Sequence, residues 1–240
     1  MMSDWLSYRA QISPDKLAVS YQDVPLTFAQ MDHQAALIAA VLQQYGITAQ
    51  DRVALLSCAT PQWMILAHAV LRIGAILVPL NTRLTPDEWR PLLNDCRPSA
   101  ILVDALHDDA INAVQTSCPV LAIDEIFAHS RHMSPLPAAV LSDRQIAAIV
   151  YTSGTTGPSK GAVISRGNLY ASAVASGIYL GSMPDDLWLH AMPLFHVGGL
   201  SIIFRSVILG SGVILQQRFD ANTVNHTLET RPVTLLSVVP

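Results

Sequence analysis

Short apolar runs with no room for a helix alternate with capped helical patterns along this chain, and that alternation restricts it to mainly parallel sheets wrapped by helices. Arg52 to Ser57 is such a run. Thr60 and Pro61, an N-cap and a first helical position, follow it. The unit recurs with Ala75 to Val78 as strand, Thr85-Pro86-Asp87-Glu88 as a capped helix start, and Ala100 to Val103 and Val120 to Ile123 as strands. Upstream, Phe28, Met31, Ala35, Ile38, Leu42 and Tyr45 share one face of a helix that Thr27 and Gln30 open as a capping box and Gly46 ends.

The Pro-rich, polar stretch from His129 to Pro137 reads as a linker, dividing residues 1–140, a first α/β subdomain, from residues 141–240, a second one. Beyond it, Ile146 to Val150 is a buried strand with a loop and a helix after it. Further strands are expected at Leu187 to His190, Val213 to Gln216 and Thr234 to Val239, the last as an interior strand. Helical patterns lie near Leu200 to Leu209 and Ala221 to Glu229.

Composition excludes several classes. With 51% hydrophobic and 13% charged residues over 240 positions, the chain can bury a large core and is not disordered. A net charge of −4 supplies no basic field for a phosphate backbone, so nucleic acid is not an expected partner. The three cysteines, Cys58, Cys96 and Cys118, read as free thiols in a reducing cytosol, and no Cys or His pair has metal-ligand spacing, so no metal-ligating residue is assigned. The N-terminus lacks a secretory signal, and a cytoplasmic location is expected. The longest apolar stretch, Trp63 to Leu80, contains His68, Arg72, Gly74 and Pro79, and reads as a buried helix followed by a strand instead of a membrane span.

In sheets of this kind ligands collect at the carboxyl ends of strands. After the run Ile146 to Val150 comes Tyr151-Thr152-Ser153-Gly154-Thr155-Thr156-Gly157-Pro158-Ser159-Lys160-Gly161. Hydroxyl donors, three glycines and one lysine are concentrated there. The glycines let backbone N–H groups approach an anion without Cβ obstruction, and Lys160 adds a mobile cation. This is chemistry suited to phosphate. Neither Gly154 nor Gly157 has the Gly-Lys pair five residues on that a Walker A loop needs, which disfavours an ordinary P-loop NTPase.

Tyr151 to Gly161 resembles the phosphate-binding signature of the adenylate-forming superfamily, which includes acyl-CoA ligases, luciferases and peptide-synthetase adenylation domains. Thr27-Phe28, Asp51-Arg52-Val53-Ala54, Gly74-Ala75 with Val78-Pro79-Leu80-Asn81, and Arg83-Leu84-Thr85 look like the same family. Pro158-Ser159 ahead of Lys160 departs from the usual pattern. The resemblance implies part of the family's large N-terminal α/β domain, ATP with Mg2+ bound through Thr152, Ser153, Gly154, Thr155, Thr156, Gly157 and Lys160, and a two-step reaction. A carboxylate attacks the α-phosphorus to give an acyl-adenylate, and the thiol of CoA then displaces AMP.

Met192-Pro193-Leu194-Phe195-His196-Val197-Gly198-Gly199-Leu200-Ser201 resembles the family's acyl-pocket motif. By that resemblance His196 borders the carboxylate, and Gly198, Gly199 and Ser201 bind the acid, the glycines letting backbone pass close to a planar ligand. Lys160 and His196 are the expected catalytic residues. Amino-acid adenylating domains place an aspartate in this region to neutralise the substrate ammonium, and no acid occurs between Leu187 and Arg218. A plain or aromatic acid is therefore expected, and the run from Pro193 to Ile202 with Arg205 to Ile208 looks most like the branch of the family that takes 2-succinylbenzoate in menaquinone synthesis. Another acyl-CoA ligase, an amino-acid adenylation domain and a non-catalytic nucleotide-binding fragment are the alternatives, and homo-oligomer formation is open. The family's adenine contact, ribose acid, hinge and C-terminal lysine lie downstream of Pro240, so residues 1–240 alone are expected to be inactive.

Overall fold

The computed structural model describes residues 4–152 and 159–238. The chain enters through helix α1 (Trp5–Ile12), capped by the Asp4 carboxylate, and a hairpin of β1 (Leu17–Tyr21) and β2 (Val24–Thr27). Helix α2 (Phe28–Gln44) has the expected capping box, with Phe28, Met31, Ala35, Ile38 and Leu42 buried. Tyr45 departs from that stripe. It is the C-cap, 40% exposed, and its hydroxyl bonds His129.

Next come β3 (Arg52–Leu56), α3 (Pro61–Ile73), β4 (Ile76–Pro79), α4 (Pro86–Cys96), β5 (Ala100–Val103), α5 (Asp108–Asn112), β6 (Val120–Ala122) and α6 (Ile123–Ser130). The second half holds β7 (Ile146–Thr152), β8 (Lys160–Ser165), α7 (Arg166–Leu180), β9 (Leu187–His190), α8 (Val197–Leu209), β10 (Gly212–Leu215), α9 (Ala221–Thr230) and β11 (Leu235–Leu236).

These strands form a six-stranded sheet, β6-β5-β3-β4-β7-β8, and a five-stranded sheet, β11-β9-β10-β1-β2. Both are parallel except at one edge, where β7–β8 and β1–β2 are antiparallel. Strand membership cuts across the expected division at residue 140. The hairpin at residues 17–27 joins the late strands, and β7 and β8 join the early ones. Parallel neighbours need a crossover, not adjacency in sequence, so a linker-like composition does not mark where a sheet ends.

Side-chain alternation sets the layers. Val53 and Leu55 of β3 face a central core shared with α1, α2, α3, α8 and the inner face of the five-stranded sheet, whereas Ala54 and Leu56 face Trp89, Leu93 and Cys96 of α4. On the far side of the other sheet, Leu189 and Ile214 pack on Val224 of α9. The result is five layers, with two sheets sandwiching a helical centre.

Helix α3 is the axis of that centre, and every residue from Trp63 to Ile73 is buried. Its two polar members are accommodated differently. Arg72 donates from Nε to Asp4 Oδ2 at 2.6 Å and pairs with the Asp32 carboxylate. Burial opposes its charge, yet Asp4 and Asp32 outweigh burial and raise its pKa. Such a triad costs several kcal/mol if one partner is removed. His68 instead lies edge-on to Phe204, 5.3 Å between centroids, and burial lowers its pKa to about 4, so it is neutral at pH 7. No described helix is long and apolar enough to cross a membrane.

Thr234 to Val239 does not form an interior strand among the described residues. β11 spans Leu235–Leu236, pairs only with β9, and is half-buried to exposed.

Candidate active site

β7 is the last parallel strand of the six-stranded sheet, between β4 and the antiparallel edge strand β8, and its carboxyl end carries Tyr151 and Thr152 outward. The chain returns in β8, a strand the sequence reading did not anticipate, with Thr152 opposite Lys160 and Tyr151 opposite Gly161. Thr152 and Lys160 are exposed at the mouth of this arm, the Thr152 hydroxyl 3.5 Å from the Lys160 carbonyl. Ser153, Gly154, Thr155, Thr156 and Gly157 lie outside the described residues.

The arm's base is fixed by Tyr151. Its hydroxyl donates to Asp95 Oδ2 at 2.5 Å and lies 3.2 Å from Leu92 O, joining β7 to α4. Its ring covers Gly161, where an added Cβ would sit 3.3 Å from the ring and 2.7 Å from Ile149 Cγ2. Burial, followed by the Asp95 hydrogen bond, raises the Tyr151 pKa, so this phenol keeps its proton.

The second motif forms the connection from β9 to α8. His196 is the N-cap residue of α8 with extended backbone, but its side chain makes no cap bond. The imidazole is exposed and tilted 60° against Phe195, 4.5 Å between centroids, with the Arg83 guanidinium 5.9 Å over the Phe195 ring. Partial burial and the Arg83 charge lower the His196 pKa, which keeps the ring neutral at pH 7.

The glycine pair also has a reason within the fold itself. A Cβ on Gly199 would meet the Pro193 carbonyl oxygen at 2.3 Å, and one on Gly198 would meet Met192 Cε at 2.8 Å. Gly199 is therefore required by the turn itself, whereas Gly198 faces a flexible side-chain end. Ser201 donates its hydroxyl to Gly198 O at 2.9 Å, within its own helix.

His190, which carried no sequence signal, holds this connection from beneath. It is fully buried at the end of β9, with Nε2 3.0 Å from Gly199 O. A carbonyl only accepts, so Nε2 carries the proton and the tautomer is set. Burial lowers the His190 pKa.

The two motifs meet. A cavity of about 80 Å³ is lined by Tyr151 and Ser159 from the arm, by His196 and Phe195 from the β9–α8 connection, and by Asn81 and Leu84 after β4. Thus the hydroxyl residues Tyr151 and Ser159 and a neutral imidazole flank one cleft, at the carboxyl ends of β4 and β7. Thr152, Lys160, Gly198, Gly199 and Ser201 are not among its lining residues.

Known proteins share this architecture. The 2-succinylbenzoate–CoA ligase of Bacillus mycoides (strain KBAB4) is 33% identical over 242 residues, covering 99% of this chain and 48% of the relative. The chain thus spans about half the length of the curated relatives it matches. The structure of o-succinylbenzoate CoA synthetase from Bacillus subtilis in complex with the acyl-adenylate intermediate OSB-AMP superposes with a TM-score of 0.92 at 32% identity, covering 99% of this chain and 62% of that one. The same Bacillus subtilis enzyme in complex with ATP and magnesium ion superposes at 0.86 with 31% identity, over 98% of this chain and 63% of that one. The profile of the family described as AMP-binding enzyme matches residues 6–240, so the chain belongs to the AMP-binding enzyme family.

Proposed function

We propose that this chain supplies the nucleotide and acyl sites of an ATP-dependent acid–thiol ligase acting on 2-succinylbenzoate, with CoA as the thiol acceptor. The observation that carries the reading is the cleft in which Tyr151 and Ser159 stand across from Phe195 and His196. Similarity to 2-succinylbenzoate–CoA ligases across nearly the whole chain supports the choice of acid.

In this reading Thr152, Ser153, Gly154, Thr155, Thr156 and Gly157 offer hydroxyls and backbone N–H groups to the phosphates, and Lys160 brings a cation to the charge that accumulates as pyrophosphate leaves. The carboxylate oxygen bonds to the α-phosphorus as the bond to pyrophosphate breaks. The CoA sulfur then bonds to the acyl carbon as AMP departs. The described lining residues carry no carboxylate, so Mg2+ would be held through the phosphates, as that ion commonly is. His196, neutral and beside Phe195, would border the acid without adding a charge to that of Arg83. Gly199 and His190 fix the position of His196 indirectly, and Gly198 and Ser201 shape the acyl side from α8.

The test is acid-dependent pyrophosphate exchange in a form carrying the family's full length, with 2-succinylbenzoate compared against benzoate, fatty acids and a panel of amino acids. Exchange is expected with 2-succinylbenzoate and not with amino acids, and His196→Ala should raise the acid's KM or lower kcat while leaving the ATP KM within about twofold. Preferential exchange with an amino acid would overturn the reading.

A further inference from the structure

Away from the phosphate arm, two other loops at the carboxyl end of the six-stranded sheet converge. β3 and β5 are parallel neighbours, Cys58 lies just beyond β3, and Asp104 directly follows β5. The loops are tied together. The Asp104 N–H donates to Leu56 O at 3.2 Å, and the Cys58 N–H donates to Asp104 Oδ2 at 2.8 Å. His107 completes the group, its backbone N–H donating to Asp104 Oδ1 at 3.1 Å and its Nδ1 lying 2.5 Å from the same oxygen. One ligand atom from each of Cys58, Asp104 and His107 lies within 4.8 Å of the others.

We propose that Cys58, Asp104 and His107 form a binding site for a zinc-class divalent cation. A sulfur, an imidazole nitrogen and a carboxylate oxygen are the donor mixture that Zn2+ accepts and that Mg2+ and Ca2+ do not favour. A thiolate, a carboxylate and a neutral imidazole balance the ion's two charges. The cation would take the place of the proton now held between Asp104 and His107, with a slight opening of that pair.

Preorganisation favours the site. Asp104 is aimed by two backbone N–H donors, the kind of outer-shell support that orients a metal ligand. The side chains of His107 and Asp104 are 15% and 19% exposed, sheltered yet reachable from solvent. Three protein ligands leave a fourth position. Cys58 also lines a cavity of about 490 Å³ between the sheets, shared with Arg83, Phe195 and Gln217, onto which that position can open. Because the ligands come from two loops, the unfolded chain has no such site, and binding must stabilise the fold.

The full chain, freed of metal, would be titrated with Co2+ as a spectroscopic probe and with Zn2+ by calorimetry, thermal unfolding being followed in parallel. One Co2+ per chain is expected, with a thiolate-to-metal charge-transfer band displaced by Zn2+ and a Zn2+-dependent rise in Tm. Cys58→Ser should abolish the band, Cys118→Ser should keep it, and His107→Ala should weaken Zn2+ binding at least about tenfold. If Cys58→Ser does not fold without metal, His107→Ala and Asp104→Asn decide the matter. A missing thiolate band in the wild type, a band that follows Cys118, or unchanged Zn2+ affinity in His107→Ala would each overturn the proposal.

Discussion

Each sheet ends in one antiparallel hairpin, and the two hairpins are built in opposite ways. In the five-stranded sheet, β1 and β2 pair as far as Tyr21 opposite Val24, so only Gln22 and Asp23 form the turn, both with positive φ, 49° and 61°. That is the two-residue turn whose twist matches the strands. In the six-stranded sheet, β7 and β8 pair as far as Thr152 opposite Lys160, and seven residues, 153 to 159, separate them. Reversing the chain needs two residues. The other hairpin carries five more than reversal requires, and they are hydroxyl residues, glycine and proline at the carboxyl end of the last parallel strand. The excess, not the hairpin, is what a ligand-binding role has to explain.

Replacing residues 153–159 by Asn-Gly would break the comparison most severely. The strands β7 and β8 should still pair, so the Tm of residues 1–240 should stay within a few degrees, while ATP-dependent pyrophosphate exchange in a family-length form should fall by more than about a hundredfold as all backbone donors are lost together. Retained exchange would mean that the connection is only a connection. Lys160→Ala, which leaves the seven residues in place and removes one charge beside them, should cost about ten- to a hundredfold in the same assay, in keeping with one lost charge-assisted bond. An effect equal to that of the full excision would show that the lysine alone carries the site.

The same contrast explains how much was legible in the sequence. Thr27 with Gln30 and Thr60 with Pro61 are local signals, and the helices they open begin where those signals stand. β5 matched residue for residue because four consecutive apolar residues buried on both faces leave little ambiguity. The β1–β2 hairpin was missed because Gln-Asp carries no glycine or asparagine to announce a turn with positive φ. β8 was missed because its residues are mostly exposed or half-buried, so no apolar run marked it. In the candidate site, the hydroxyl-rich arm and His196 were readable as motifs. The role of His190 was not, since its partner Gly199 is a backbone carbonyl nine residues on, and the convergence of Cys58 with Asp104 and His107 needs the pairing of β3 with β5.

The converse of the excision sharpens the comparison from the other side. Inserting seven Gly/Ser residues between Gln22 and Asp23 lengthens the turn from two residues to nine, and the logarithmic cost of loop closure puts this at about 1 kcal/mol. A Tm drop of about 2–4 °C with unchanged pyrophosphate exchange is expected. A collapse of folding would show that the β1–β2 turn is itself essential to the five-stranded sheet, and that the two hairpins differ less than their lengths suggest.

The smallest effect should come from Gln22→Asn. Gln22 is exposed, and its φ of 49° places a long L side chain in the left-handed region, which asparagine occupies more readily through local hydrogen bonding of its short amide. Asp23 is left untouched, because its carboxylate accepts from Arg231 at 2.6 Å and ties the turn to the end of α9. Both partners of that bridge are substantially exposed, so the bridge itself is worth little, and the gain must come from backbone strain relieved at residue 22. A gain of about 0.5–1 kcal/mol, or a Tm rise of about 1–3 °C, is expected with no change in nucleotide use. The equivalent measurement on Lys160→Ala should move activity and leave Tm alone. If Gln22→Asn instead lowered Tm or altered exchange, the short turn would be serving something beyond chain reversal, and the distinction between a structural hairpin and a functional one would fail at its structural end.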